Sequence, residues 1–360
     1  MANCLPRLLP ESGHLLHLDA IRLIASAGIV VAHMLPFLDV GPNTVWPSAV
    51  QASLGTFVDM FFVVSGFVIA FVYSQRVTDA KSYGKFLRKR LARLAPLHWL
   101  TLGVFIAIGL FARAHNFAPN HANVYDLDCA PVTLLFLNST GACPHQSFNS
   151  VSWSISAEMI MYVTAPALFW VLRRSRTGML CIVIASMTTL MICCKGDSWL
   201  TFTHSGGCLR AIPSFALGTL LHSVRDALGR IALARVGFFT GIVGYLAGVA
   251  ANCVPLALLL ILYATVALGI GADAQRRSGK VVSALAGGGQ LTYSSYMLHL
   301  LVVIVVLNGL ADRILHTHGL TRNLLVAVAF VTVWPVSYLS LVLFERPARE
   351  WLGGVRLRAT

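Results

Sequence analysis

Arg22 and His33 bracket ten mostly apolar or small residues in the stretch that begins Leu18-Asp19-Ala20-Ile21-Arg22. A helix turns about 100° per residue, so eleven residues bring His33 to within about 20° of Arg22 and about 16 Å along the axis. A cation at the edge of an apolar helix, with an imidazole above it on the same stripe, suggests a site, because polar groups in lipid are costly. The plainer reading, a flanking charge and a packed polar residue, stays open on this stretch alone. Asp59 interrupts a second apolar run, Val58-Asp59-Met60-Phe61-Phe62-Val63-Val64-Ser65-Gly66-Phe67. From a neighbouring helix its carboxylate would hydrogen bond His33, fix the tautomer and raise its basicity. Otherwise it caps its own helix or pairs elsewhere. Ser65-Gly66 reads as close helix packing, since small residues let helices approach.

Glu158 closes the run Asn149-Ser150-Val151-Ser152-Trp153-Ser154-Ile155-Ser156-Ala157-Glu158, with Tyr162 one turn further on the same face. Counted from the outer ends of their spans, His33, Asp59 and Glu158 fall about five to six residues in, a single layer of ionisable groups. His299 follows Tyr296 by one turn in Leu291-Thr292-Tyr293-Ser294-Ser295-Tyr296-Met297-Leu298-His299. It is a packing residue or faces substrate. Arg90 and Arg93, one turn apart in Phe86-Leu87-Arg88-Lys89-Arg90-Leu91-Ala92-Arg93-Leu94-Ala95-Pro96, serve as a topology signal. They also suit a clamp for a multiply phosphorylated ligand such as coenzyme A. Phe344-Glu345-Arg346-Pro347 reads as a helix terminator, with Glu345 pairing locally.

The elements that must hold these groups are membrane helices. The chain has 360 residues, 57% hydrophobic and 11% charged, with mean hydropathy +0.74, where a soluble domain carries about 25% charged residues. The expected fold is all-α, a polytopic membrane bundle of about ten helices. Their limits lie near 20–38, 53–74, 96–112, 152–172, 178–194, 207–223, 235–252, 254–271, 291–310 and 323–344. The sixth is weak because it holds Arg210 and Pro213, and the seventh is short. A cytoplasmic segment 1–19, a transmembrane domain 20–345 and a cytoplasmic tail 346–360 follow, with no cleavable signal peptide expected.

The net charge of +13 does not indicate nucleic acid, because the cations flank apolar segments. With the N-terminus inside, 22 of the 27 Lys and Arg fall on the inner side, which puts both termini in the cytoplasm. The one long outer loop, 113–151, carries His115, His121, Asp126, Asp128 and His145. The eight cysteines form no metal-ligand spacing, and no metal is expected. Cys129 and Cys143 share the outer loop, where a disulfide is open to them in an oxidising compartment.

Taken in order, these motifs resemble the acyltransferase-3 family of integral-membrane O-acyltransferases, from about residue 17 to 350. The six are the Leu18–Arg22 start with His33, the Val58–Phe67 run, Arg90-x-x-Arg93 before Pro96, the Trp153–Glu158 motif, Tyr296 with His299, and Phe344–Pro347. One departure is that Met159 and Ile160 follow Glu158 where family members often carry a further acidic or amide residue. No esterase-like domain is expected. The resemblance implies transfer of an acyl group, usually acetyl, from acyl-coenzyme A (acetyl-CoA) to a hydroxyl of a polysaccharide or other glycan at the bacterial inner membrane. His33 would be the base, oriented by Asp59 or Glu158, with His299 a fourth catalytic candidate. Arg22, Arg90 and Arg93 would hold the donor's phosphates. Membrane lipid, the acyl donor and the glycan are the expected partners, and oligomeric state is open. Acylation of a small glycosylated molecule or lipid-linked sugar, and a secondary transporter, are the rival readings.

Overall fold

The computed structural model describes residues 8, 15–41, 44, 46–116, 123–194, 199–276 and 278–353. Arg7, His121, Lys195, Arg277, Arg356 and Arg358, used above in the loop and charge readings, lie outside them. Among the described residues the regular elements are all helices, joined by turns and loops, with one isolated β-bridge between Thr140 and Ser205. Ten helices answer the ten apolar segments. They are α1 (Leu16–Met34), α2 (Phe57–Tyr73), α3 (Ala80–Ala114), α4 (Trp153–Arg174), α5 (Arg176–Cys193), α6 (Gly207–Ser223), α7 (Ala234–Ala250), α8 (Pro255–Ala274), α9 (Thr292–Val302) and α10 (Gly319–Ser340).

Among the described residues, eight helical stretches are long and apolar enough to cross a bilayer. The two that fall short, α6 and α7, have 17 residues each, about 26 Å against a hydrocarbon thickness of about 30 Å. They are the two the sequence marks as weak.

Two boundaries differ from expectation. The segment expected at 96–112 belongs to a helix of 35 residues that starts at Ala80. Asp79 begins it with a reciprocal capping box: its side chain accepts from the Ser82 amide at 2.7 Å, and Ser82 Oγ lies 3.1 Å from the Asp79 amide. The basic motif therefore rides on the helix. The second correction concerns Pro347. It does not end the last helix, which passes through a π-helical stretch at Leu341–Glu345 and continues as Arg346–Gly353. Pro347 directly follows the π-helical stretch, where the i→i−4 ladder is already interrupted, so its missing N–H does not end the helix. Glu345 does pair locally, with Arg349 at 3.6 Å.

The contacts divide the chain into two compact units, Met1–Phe61 with Val224–Phe344, and Phe62–Ser223 with Glu345–Leu357. In the first, α1 packs on α8, α9, α10 and the helix Lys280–Gly288. Val30, Met34, Val302, Val303, Leu307, Val326, Ala329 and Val333 form one apolar cluster of these helices. Two polar contacts fix α1. Ser26 Oγ lies 2.6 Å from Ser295 Oγ of α9. Asp273, at the end of α8, accepts from the amides of His17 and Leu18 at 2.9 and 3.3 Å and from His17 Nδ1 at 2.7 Å.

In the second unit, α6 crosses α2 at glycine. A Cβ on Gly66 would run into the Phe215 carbonyl oxygen, and one on Gly218 into the Val63 carbonyl oxygen. The packing role read for Gly66 is thus its structural one. Gly66→Ala or Gly218→Ala should cost about 1–3 kcal/mol, towards the upper end because the obstacle is backbone. Thermal unfolding of the purified protein in detergent would measure this, and an unchanged midpoint would contradict it. The described residues of the 113–151 loop belong to this unit. Cys129 and Cys143 form a disulfide with Cα atoms 5.6 Å apart, and His145 Nε2 meets Asp126 Oδ2 at 2.8 Å.

Candidate active site

The first unit joins two of the predicted catalytic residues. His33 lies in the last turn of α1, and His299 in the last turn of α9. Their rings stand 4.8 Å apart, tilted by 55°. Each is oriented by its own helix: His33 Nδ1 donates to the Ile29 carbonyl at 2.9 Å, and His299 Nδ1 to the Ser295 carbonyl at 3.0 Å. A carbonyl only accepts, so the proton of each neutral ring sits on Nδ1 and the lone pair on Nε2. His299 is fully buried, and its Nε2 has no hydrogen-bond partner among the described residues. Tyr296, one turn before it, places its ring 6.1 Å away.

The expectation that Asp59 would fix the His33 tautomer needs correction, because the Ile29 carbonyl does so. Asp59 is 1% exposed in the first turn of α2, within the same unit as His33. Arg22 pairs with Asp19 one turn back on α1, Nη1 to Oδ1 at 3.4 Å.

The second unit holds Glu158, Arg90 and Arg93. Glu158 Oε1 accepts from Ser65 Oγ of α2 and from the Tyr162 hydroxyl, and these two hydroxyl oxygens are 3.1 Å apart. Two donors converging on one carboxylate oxygen make a compact polar cluster. Arg90 reaches the same neighbourhood from α3. Its Nη2 donates to the Tyr73 hydroxyl at 3.0 Å, and its guanidinium lies 5.1 Å from the Tyr73 ring and 6.0 Å from the Tyr162 ring. Aromatic faces attract a guanidinium, so the tyrosines hold the arginine in place without neutralising it. Arg93 also acts electrostatically on Tyr162. Arg90 Nε is buried and makes no hydrogen bond among the described residues.

Ser65 is the residue that the sequence reading misses. It belongs to a polar cluster, whereas only Gly66 beside it serves packing. No spacing signal marked it, because six positions beyond Asp59 turn Ser65 about 120° away from that residue on α2. Arg210 shows the opposite case. Its presence weakened the sixth segment, yet it is 2% exposed, donates from Nη1 to the Leu200 carbonyl at 2.9 Å and stands 5.1 Å from the Trp153 ring. A buried cation is tolerable where carbonyls and aromatic faces replace its water.

Acyltransferase MdmB of Streptomyces mycarofaciens is 33% identical over 138 residues, which cover 38% of this chain and 34% of that protein. Nodulation protein 10 of Rhizobium leguminosarum bv. viciae is 25% identical over 207 residues, 54% of this chain and 53% of the relative. Protein 2 in picA locus of Rhizobium radiobacter is 37% identical over 91 residues, 25% and 43% of the two chains. The chain thus spans about a third to a half of the length of these curated relatives. No solved structure matches it. A family profile described as an acyltransferase domain matches residues 15–342. That match runs unbroken from the start of α1 to beyond α10 and takes in the histidine pair and the Glu158 cluster alike: the chain belongs to the acyltransferase-3 family.

Proposed function

We propose that the protein is a membrane O-acyltransferase that moves an acyl group, acetyl in the simplest case, from acyl-coenzyme A to a hydroxyl of a cell-surface or exported glycan. The observation that carries this reading is the His33–His299 pair with both Nδ1 atoms anchored on backbone carbonyls. Such anchoring leaves Nε2 bare on a ring that cannot turn away, which is what a general base needs.

His33 Nε2 takes the acceptor hydroxyl proton as the oxygen attacks the thioester carbonyl carbon. Collapse of the tetrahedral intermediate breaks the carbon–sulfur bond, and the imidazolium returns the proton to the departing coenzyme A sulfur. His299 packs its ring 4.8 Å from His33 and limits how that ring can turn. Asp59 is the acidic residue in the unit of the histidine pair, and Glu158 is the acidic candidate of the other unit. Direct transfer is favoured over an acyl-enzyme, because the one serine in the cluster, Ser65, donates to a carboxylate and not to an imidazole. Arg90 and Arg93 take the donor's phosphates on the side that the Lys/Arg excess assigns to the cytoplasm, and Arg22 is a further candidate cation on that side. The protein then lies in the bacterial inner membrane with both termini inside. Family membership and the likeness to Acyltransferase MdmB support the transfer.

Mass spectrometry of cell-surface glycans from cells with and without the gene tests the acceptor, and a gain of acetyl is expected. Solute flux into proteoliposomes without any coenzyme A thioester would overturn the enzyme reading in favour of a transporter. Arg90→Lys is expected to raise KM for acyl-coenzyme A about ten-fold with kcat little changed. An ammonium cannot reproduce the guanidinium fork on phosphate, and uniform binding appears in KM alone. Initial rates at varied donor concentration would read the split.

A further inference from the structure

An open cavity of about 380 Å³ lies within the second unit, where α4 ends and α5 begins. Arg173, Arg174 and Arg176 line it together with Ser74, Ser175 and His222, and no carboxylate lines it. Among the described residues none of the three arginines is in an ion pair. The surrounding contacts position these cations without cancelling them. Arg173 Nη1 donates to the Ser74 carbonyl at 2.7 Å. Arg174 places its guanidinium 3.9 Å over the ring of Trp170. Ser74 Oγ and His222 Nε2 are 3.3 Å apart. The first turn of α5, an 18-residue helix whose Gly178 amide is capped by Ser175 Oγ at 2.9 Å, adds the positive end of its dipole.

We propose that this cavity binds the phosphate of an anionic phospholipid headgroup. Three forked guanidinium donors with hydroxyls and an imidazole beside them suit phosphate oxygens. The location selects the source. The cavity sits at the joint of two apolar helices, and Trp170, one turn below Arg174, is 52% exposed, as indoles at the membrane–water boundary are. Leu172 joins the lining and offers an apolar wall to the start of the acyl chains. The volume is within the span of about 300–1,000 Å³ usual for small-ligand pockets. Basic pockets between helix ends on the cytoplasmic side are where anionic headgroups are held. The site is separate from the Arg90 and Arg93 motif, and its lipid does not take part in acyl transfer.

The full chain in detergent is titrated with phosphatidylglycerol and, separately, with phosphatidylcholine, and bound lipid is counted by native mass spectrometry. Phosphatidylglycerol is expected to bind with saturation and phosphatidylcholine not to. Arg174→Gln with Arg176→Gln should weaken the phosphatidylglycerol affinity about thirty-fold. The charge-matched pair Lys81→Gln with Lys85→Gln, exposed on α3 of the same unit, should change it less than about three-fold. Both arginines are exposed, and the single Arg176→Gln, expected to lose about five-fold, gives a reading that a fold defect in the pair cannot mimic. An equal loss in the arginine and lysine pairs would mean diffuse attraction and would overturn the proposal. So would full retention in the arginine pair. Protection by inorganic phosphate or coenzyme A through these arginines, with no response to phosphatidylglycerol, would also overturn it and make the ligand a soluble phosphate.

Discussion

His33→Ala, in protein that still folds, is expected to lower the acyl-transfer rate by about a hundred- to ten-thousand-fold, the contribution of a positioned general base. The loss should fall on kcat and on kcat/KM alike, because proton removal is needed only in the transition state. His33→Gln separates base chemistry from hydrogen bonding. The amide can still donate to the Ile29 carbonyl that His33 Nδ1 engages at 2.9 Å, but it cannot take a proton at neutral pH. It should be as inactive as the alanine variant while melting at the wild-type temperature. His299→Ala is expected to lose activity as well, since it removes the ring 4.8 Å from His33 and opens a cavity at a fully buried position. Steady-state transfer of labelled acetyl from acetyl-CoA would measure all three. A His33→Gln enzyme with wild-type kcat would remove His33 from the mechanism.

Asp273→Ala is expected to produce the largest loss of stability among single substitutions, at least about 3 kcal/mol. The carboxylate at the end of α8 accepts from the His17 amide, the Leu18 amide and His17 Nδ1. Asp273 is 4% exposed and His17 0%, so water cannot replace it. Each buried donor left without an acceptor costs about 1–3 kcal/mol, and removing one partner of a buried pair costs about 3–5 kcal/mol. The carboxylate also opposes the positive end of the α1 dipole, a favourable arrangement that alanine forfeits. Asp273→Asn keeps the shape and one acceptor oxygen, so it should recover part of the loss. Thermal unfolding in detergent would rank wild type above Asn above Ala. An alanine variant with an unchanged midpoint would show that α1 does not depend on this cap. Because α1 carries Arg22 and His33, the same variant is expected to lose activity at temperatures where it remains folded.

Much of the fold was open to reading along the chain. Ten apolar segments match ten helices, and the two marked by a cation or short length are the two that fall outside the stretches long and apolar enough to cross a bilayer. The start of α3 was lost because seven cations between Arg76 and Arg93 depress hydropathy, although the Asp79–Ser82 capping box signalled it locally. Pro347 reads as a terminator because proline breaks helices in their interior, but it follows a π-helical stretch that already interrupts the ladder, and the helix continues. The Glu158–Tyr162 contact is a one-turn relation and was foreseen from spacing.

The residue sequence by itself determined which segments are helical and which of them carry ionisable groups. Hydropathy and the 3.6-residue period are local properties, summed over neighbours along the chain. Tertiary structure alone decided the partners: that His33 faces His299, that the Ile29 carbonyl rather than Asp59 sets its tautomer, and that Ser65 joins Glu158. Those contacts depend on the rotation and register of each helix against the next. Register is fixed by the combined packing of whole apolar faces and by close crossings such as Gly66 on Phe215, which no single residue's type or spacing encodes.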